Sequence, residues 1–149
     1  MKRCLPLAVV LIVLAPGILR AQPRYGGPDR RDNIARVIAD CEGRTNEFRR
    51  SLRMALDRSE MNNTRREDEL NMDASRLEQA MNRVRESWNF EHNPGRTRRS
   101  VNDAIAVGQN INRTMIRRRL NPDVQRQWDI VRGELNRLAE SFQLPRIRW

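Results

Sequence analysis

Four stretches of this chain place an apolar or small residue at every third or fourth position, with the two steps alternating. Steps of three and four put all members of a set on one stripe of an α-helix. The stripes comprise Ile34, Ile38, Cys41, Thr45, Phe48, Leu52 and Ala55; Leu70, Ala74, Leu77, Met81, Val84 and Trp88; Val101, Ala104, Gly108, Ile111 and Met115; and Val124, Trp128, Val131, Leu135, Leu138 and Phe142. No stretch alternates with the period of a strand. The pattern predicts an all-α protein, an antiparallel four-helix bundle with coiled-coil-like heptad seams.

Helix-start signals accompany three of the four stripes. Thr64 and Glu67 have the spacing of a capping box at the start of the second helix. Asn121 followed by Pro122 combines an N-cap with proline at the first helical position. Ser100 offers a looser signal of the capping-box kind for the third helix. These residues predict where the last three helices begin.

Turn signals separate the helices. Residues 92–95, His-Asn-Pro-Gly, indicate a turn, and Pro145 ends the last helix. The predicted helices span residues 32–59, 64–90, 100–120 and 122–142. Short linkers favour antiparallel neighbours. Folding the first hairpin in this way places Cys41 opposite Met81.

The first 21 residues have the three-part plan of a secretory signal peptide. Lys2 and Arg3 precede an uncharged, mostly apolar run that ends before Ala21, a small residue suited to cleavage. The run is short for a membrane span, which needs about 20 apolar residues, although an uncleaved anchor stays open as an alternative. We therefore expect export to the bacterial periplasm or exterior. The expected domains are a signal peptide at 1–21, a flexible linker at 22–31, a helical bundle at 32–144 and a tail at 145–149.

Charge is distributed unevenly along the chain, whose formal net charge is +10. Residues 92–121 contain seven arginines and a single acidic residue, whereas residues 60–91 contain five arginines and eight acidic residues. The basic segment predicts an anion-binding face for phospholipid, lipopolysaccharide or an acidic partner. The alternative is a solvated face, with some of these arginines paired to the acidic second helix. The candidate anion-binding residues are Arg96, Arg98, Arg99, Arg117, Arg118 and Arg119.

The cysteine and histidine side chains, which could in principle act in catalysis or bind a metal ion, are expected to have structural roles. Cys41 lies on the first stripe between Asp40 and Glu42, which predicts a buried thiol with a raised pKa. His92 is the single histidine and lies in a turn, away from any core stripe. We assign no catalytic, cofactor-binding or metal-binding residue, and we expect no cofactor and no enzymatic activity.

The chain resembles two known groups of proteins. The stretches 55–59 (Ala-Leu-Asp-Arg-Ser) and 64–68 (Thr-Arg-Arg-Glu-Asp), with the pattern Trp128-x-x-Val131-Arg132-x-x-Leu135-Asn136-x-Leu138-Ala139, resemble uncharacterised secreted helical proteins of soil-type bacteria. This resemblance implies export and a helical fold, and no activity. Residues 120–125, Leu-Asn-Pro-Asp-Val-Gln, are similar to the L-T-x-x-Q motif of Spy/CpxP-type periplasmic chaperones, with Asn in place of Thr and one extra residue before Gln.

These observations together predict an exported, non-enzymatic helical-bundle protein that binds a protein or an anionic envelope component through its surface. The alternative is a Spy/CpxP-like periplasmic holdase chaperone, which would need an exposed apolar concave face. Nucleic acid is not an expected partner, because no aromatic stacking platforms accompany the basic residues. We expect a monomer or homodimer with no transmembrane segment once the signal peptide is removed.

Overall fold

The computed structural model describes residues 28–58, 64–90, 93–117 and 120–148. These residues form four helices and no strand: α1 (Pro28–Asp57), α2 (Arg65–Asn89), α3 (Pro94–Arg117) and α4 (Pro122–Ser141). The all-α four-helix bundle expected from the sequence is therefore confirmed. The predicted signal peptide lies outside the described residues.

Each helix packs against two neighbours in an antiparallel arrangement. α1 contacts α2 and α4, and α3 contacts the same two helices. Ion pairs join Glu42 to Arg85 and Arg49 to Glu78, so numbers rise along α1 as they fall along α2. The same holds for α3 and α4. Arg98, near the start of α3, contacts Phe142 just after α4, and Asn112, further along α3, contacts Trp128 within α4. The chain order is thus also the order of helices around the bundle.

The core contains nearly every residue of the four predicted stripes. All are buried except Ala55 and Trp88, which are half-buried. Trp128 is fully buried, and its ring centroid lies 5.4 Å from that of Phe48. The predicted opposition of Cys41 and Met81 is confirmed, with their sulfur atoms 3.7 Å apart.

Two of the three predicted helix starts are confirmed. Thr64 is the N-cap of α2, and its Oγ1 accepts a hydrogen bond from the Glu67 backbone N–H at 3.3 Å. Asn121 is the N-cap of α4, and its Oδ1 accepts from the Asp123 backbone N–H at 2.8 Å, with Pro122 in the first helical turn. These side chains satisfy N–H groups that the helix itself leaves unpaired.

The predicted start of α3 at Ser100 is wrong. α3 begins at Pro94, within the segment expected to be a turn. The Asn93 Oδ1 accepts hydrogen bonds from the backbone N–H groups of Gly95 and Arg96, at 3.0 and 3.2 Å. An asparagine cap followed by proline is the same signal that starts α4. α1 likewise begins earlier than predicted, at Pro28, so residues 28–31 of the expected linker are helical.

The residues after α4 pack against the bundle. Gln143 has a φ of 54°, and the Leu144 N–H bonds to the Ala139 carbonyl at 2.8 Å, as in a Schellman helix ending. The chain then turns back, and Ile147 is buried with 4% of its surface exposed. Ile147, which belongs to the tail predicted at 145–149, fills a space between α3 and α4, whereas the described residues on either side of it are exposed.

Candidate functional site

α3 is the basic helix of the bundle. It contains Asp103 as its single acidic residue and five arginines, two of which lie near its end. The five are Arg96, Arg98, Arg99, Arg113 and Arg117. The predicted site residues Arg118 and Arg119 lie outside the described residues. We therefore describe the candidate anion-binding face from the five arginines of α3.

Arg98 is occupied by a structural contact. Its Nε donates to the Phe142 carbonyl at 3.2 Å, and one terminal nitrogen donates to the Gln143 carbonyl at 3.4 Å. These carbonyls follow the last turn of α4, where a cation is favoured by the helix dipole and unpaired acceptors. Arg98 thus fastens the start of α3 to the end of α4 and does not point the same way as Arg99.

Arg99, Arg113 and Arg117 share the outward stripe of α3. At 100° per residue, positions 99 and 117 coincide and position 113 lies about 40° away, opposite the buried side of the helix. All three are exposed. Arg99 and Arg117 are separated by about 27 Å along the axis at 1.5 Å per residue. We call these three residues the α3 arginine stripe.

The arginines of the α3 stripe form no ion pair with any described residue. Arg117 donates to the Arg113 carbonyl at 3.1 Å, and Arg113 donates to the Asn110 side chain. The expected pairing with the acidic second helix is not observed for this stripe. Glu78 of α2 pairs instead with an arginine of α1, at 3.0 Å.

Each of the other three helices pairs some of its arginines with carboxylates, although Arg36, Arg50 and Arg53 of α1 form no ion pair among the described residues. In each of the nine ion pairs found among the described residues, the arginine comes from α1, α2, α4 or the segment after α4. The pairs are Arg44–Glu47, Arg49–Glu78, Arg65–Glu69, Arg76–Asp73, Arg85–Glu42, Arg126–Asp123, Arg132–Asp129, Arg137–Glu134 and Arg146–Glu140. The α3 stripe is thus distinguished by lying on a helix with five arginines and a single acidic residue, and α3 contributes no arginine to these nine pairs.

A cleft of about 230 Å³ lies at the end of the bundle where α3 begins. The Arg31 guanidinium lies 5.7 Å from the centre of the Trp88 ring, within the range of a cation–π contact. The lining residues are Arg30, Arg31, Ile34, Trp88, Asn93, Pro94 and Thr97. The sequence pattern placed Arg30 and Arg31 in a linker, so they were missed as candidates. The signal that could have found them is Pro28, which suits the first turn of a helix.

Cys41 is the buried thiol that the sequence predicts. Burial raises the pKa of Cys41 well above its usual range, and the nearby Glu134 carboxylate adds to this effect. The sequence neighbours Asp40 and Glu42 act in the same direction but contribute less. A neutral, fully buried thiol is a poor nucleophile, and its Sγ contacts the Met81 sulfur.

Histidine, cysteine, methionine and acidic side chains are the ones that could hold a metal ion. His92 lies outside the described residues. Met81 and Met115 are buried in the core, whereas Met54 and Met72 are exposed. Among the described residues, no group of three or more histidine, cysteine or acidic side chains is placed to hold a metal ion.

Compared with known proteins, the chain matches no family model, no curated protein and no solved structure. Within the residues described, no helix is both long enough and apolar enough to cross a membrane. The α3 arginine stripe is the candidate site on the geometry of this chain alone.

Proposed function

We propose that this chain is an exported, non-enzymatic helical-bundle protein that binds an anionic component of the bacterial envelope through the α3 arginine stripe. One observation carries the proposal: Arg99, Arg113 and Arg117 are exposed on one face without a carboxylate partner among the described residues. Export rests on the charged and apolar pattern of residues 1–21.

The spacing of the stripe suits a surface with many anionic groups. A guanidinium binds phosphate or carboxylate through two parallel hydrogen bonds. Three such groups spread over about 27 Å of helix reach separate anionic groups and bind by multivalency. The cleft with Arg30 and Arg31 lies at the end where Arg99 is found, since Thr97 also lines it. This end of the bundle therefore extends the basic surface.

Vesicle binding tests the proposal. We expect the mature protein to sediment with phosphatidylglycerol vesicles and with lipopolysaccharide, and not with phosphatidylcholine vesicles. The binding should weaken steeply as salt rises, because exposed charges are screened within about 8 Å at physiological ionic strength. Replacing Arg99, Arg113 and Arg117 together by glutamine should lower the binding several-fold at low salt.

A second triple variant distinguishes binding by the α3 arginine stripe from attraction by net charge. Arg44, Arg76 and Arg126 are exposed arginines of α1, α2 and α4, and each is paired with a carboxylate three positions away. Their joint replacement by glutamine removes the same charge. Equal loss of vesicle binding in the two triple variants would mean that net charge alone attracts the protein, and it would contradict a specific face.

A holdase chaperone is the second candidate, and one observation favours it. The space between α3 and α4 accommodates a non-helical segment of the chain itself, whose Ile147 backbone is hydrogen-bonded to Asn136, and this supports a capacity to bind peptides. The measurement is suppression of aggregation of a chemically denatured protein at equimolar concentration. A holdase of this kind should keep its activity in the triple variant of the α3 stripe.

A further inference from the structure

The segment 144–148 is held in place through its main chain. The Asn136 side chain contacts Ile147 twice: its Oδ1 accepts from the Ile147 N–H at 2.7 Å, and its Nδ2 donates to the Ile147 carbonyl at 3.3 Å. A carboxamide that pairs with both backbone groups of one residue imitates the edge of a β-strand. This contact recognises the main chain and is independent of the side chain at that position.

One small apolar pocket holds the Ile147 side chain, and we call this pocket the Ile147 seat. A Cβ atom placed on Gly108 would lie 2.7 Å from the Ile147 Cδ1 and 2.9 Å from the Leu135 Cδ1, so the absence of a side chain at position 108 leaves room for Ile147. The Trp128 ring also lies close to this point, at 3.8 Å. The Ile147 seat fits one branched aliphatic side chain.

Asn112 connects this seat to the next residue along the segment. It is buried, its Oδ1 accepts from the Trp128 indole N–H at 3.0 Å, and its Nδ2 donates to the Arg148 carbonyl at 2.8 Å. Asn112 and Asn136 therefore bind the main chain of two successive residues from the two walls of one groove. We call this site, formed by Gly108, Asn112, Leu135 and Asn136 over Trp128, the α3–α4 groove.

We propose that the α3–α4 groove is a peptide-binding site, occupied in this structure by the chain's own 144–148 segment. In its place the groove binds an extended segment of another protein with isoleucine or valine at the position of Ile147. Three features make the exchange feasible. The hydrogen bonds from Asn112 and Asn136 are to backbone, Ile147 is the one buried residue of the segment beside the half-buried Leu144, and the Arg146–Glu140 ion pair is exposed. The segment is joined to α4 through Gln143, whose positive φ is unfavourable for a side-chain-bearing residue.

A peptide titration of the full chain tests this inference. The probe is a fluorescein-labelled peptide of residues 143–148, Gln-Leu-Pro-Arg-Ile-Arg, with a C-terminal amide, and the control peptide carries aspartate in place of isoleucine. The parent protein should bind the probe weakly, because its own segment competes at a millimolar effective concentration. Ile147→Asp, which keeps the chain's own segment out of the seat, should bind the probe at least about tenfold more tightly. Adding Asn136→Ala to this variant should abolish the gain.

Ile147→Ala serves as a milder variant if Ile147→Asp folds poorly, and thermal melting serves as a second measurement. The probe should raise the melting temperature of either variant, and the control peptide should not. The proposal would be overturned if the probe neither bound nor stabilised Ile147→Asp and Ile147→Ala. Size-exclusion chromatography tests whether two copies of the chain exchange their 144–148 segments. If the parent is a dimer and Ile147→Asp is a monomer, the groove serves self-association, and the proposal that it binds another protein is overturned. This site does not involve the α3 arginine stripe, so vesicle binding can fail while peptide binding succeeds.

Discussion

Trp128 both packs in the core and donates a hydrogen bond to a buried side chain. Its ring is fully buried against Phe48, and its indole N–H satisfies the buried Oδ1 of Asn112. A buried acceptor that loses its donor incurs a desolvation cost of about 1–3 kcal/mol. Packing and hydrogen bonding at this residue can therefore be separated by substitution.

Substitutions of Trp128 are predicted to rank by what they remove. Trp128→Ala should lower the free energy of unfolding by about 3–5 kcal/mol through loss of the ring and the cavity left behind. Trp128→Phe keeps an aromatic ring but leaves Asn112 unsatisfied, so about 1–3 kcal/mol is expected. Phe90→Ala is the control, because that ring is 79% exposed and its removal should have little effect. Urea denaturation measures all three, and a Trp128→Phe variant as stable as the parent would contradict the hydrogen bond.

The raised pKa of Cys41 predicts a dependence of stability on pH. In the folded protein the raised pKa keeps the thiol protonated, whereas in the unfolded chain it ionises near its ordinary pKa of 9.0. Its contribution to stability is therefore fully present below that pH. As pH rises above it, the unfolded state releases a proton and the free energy of unfolding falls, by at most about 1.4 kcal/mol per pH unit from this group. Denaturation of the parent and of Cys41→Ala between pH 7 and 10 should show a steeper decline for the parent. Parallel curves would contradict the assignment.

At the scale of the helix, α3 differs most from the prediction. Its true N-cap is Asn93, and Ser100 lies inside the helix. Asn93→Ala should cost about 1 kcal/mol, the usual value of an N-cap. Ser100→Ala should cost nothing measurable, because it removes no cap and alanine has the higher helix propensity. A larger loss for Ser100→Ala than for Asn93→Ala would contradict the observed start of α3.

Glycines in the helices are predicted to respond differently according to their surroundings. Gly133 is exposed, and nothing lies within 4 Å of the position that a Cβ atom would occupy there. Gly133→Ala should stabilise the protein by about 0.5–1 kcal/mol through helix propensity. Gly108→Ala should lose this gain, because the new methyl group overlaps the side chains of Ile147 and Leu135. Thermal melting compares the two variants, and an equal rise in both would mean that the Ile147 seat is loose.

At the scale of the whole molecule, some arginines join helices through ion pairs and others face solvent. Two ion pairs, Arg49–Glu78 and Arg85–Glu42, connect α1 to α2, whereas the α3 arginine stripe makes no such connection among the described residues. The stripe is therefore available for binding without loss of the fold.

The glutamine triple variant of the α3 stripe is predicted to keep the stability of the parent. It breaks no described ion pair and lowers repulsion in a basic protein, so the free energy of unfolding should change by no more than about 0.5 kcal/mol. The triple variant of Arg44, Arg76 and Arg126 loses three exposed pairs, each worth about 0–1 kcal/mol. Guanidinium masks charge effects, so urea is the denaturant of choice. A loss above about 1 kcal/mol for the α3 variant would mean that the stripe supports the fold.

Local sequence determined the helices, the core stripes and two caps. Steps of three and four place side chains on one face whatever the helix packs against, which is why nearly all of the predicted stripe residues are buried. Thr64 and Asn121 cap because their side chains reach N–H groups two or three residues away. Asn93 and Pro94 carried the same signal, but Gly95 favoured a turn instead.

Tertiary structure decided which residues meet across the bundle. Arg98 and Arg99 are adjacent in sequence, yet one binds the end of α4 and the other faces outward, since 100° separates them on the helix. The burial of Ile147 depends on Gly108, Asn112 and Asn136, which lie between 11 and 39 residues away along the chain. Periodicity describes one helix at a time, whereas the α3–α4 groove exists only where two helices and a returning segment come together.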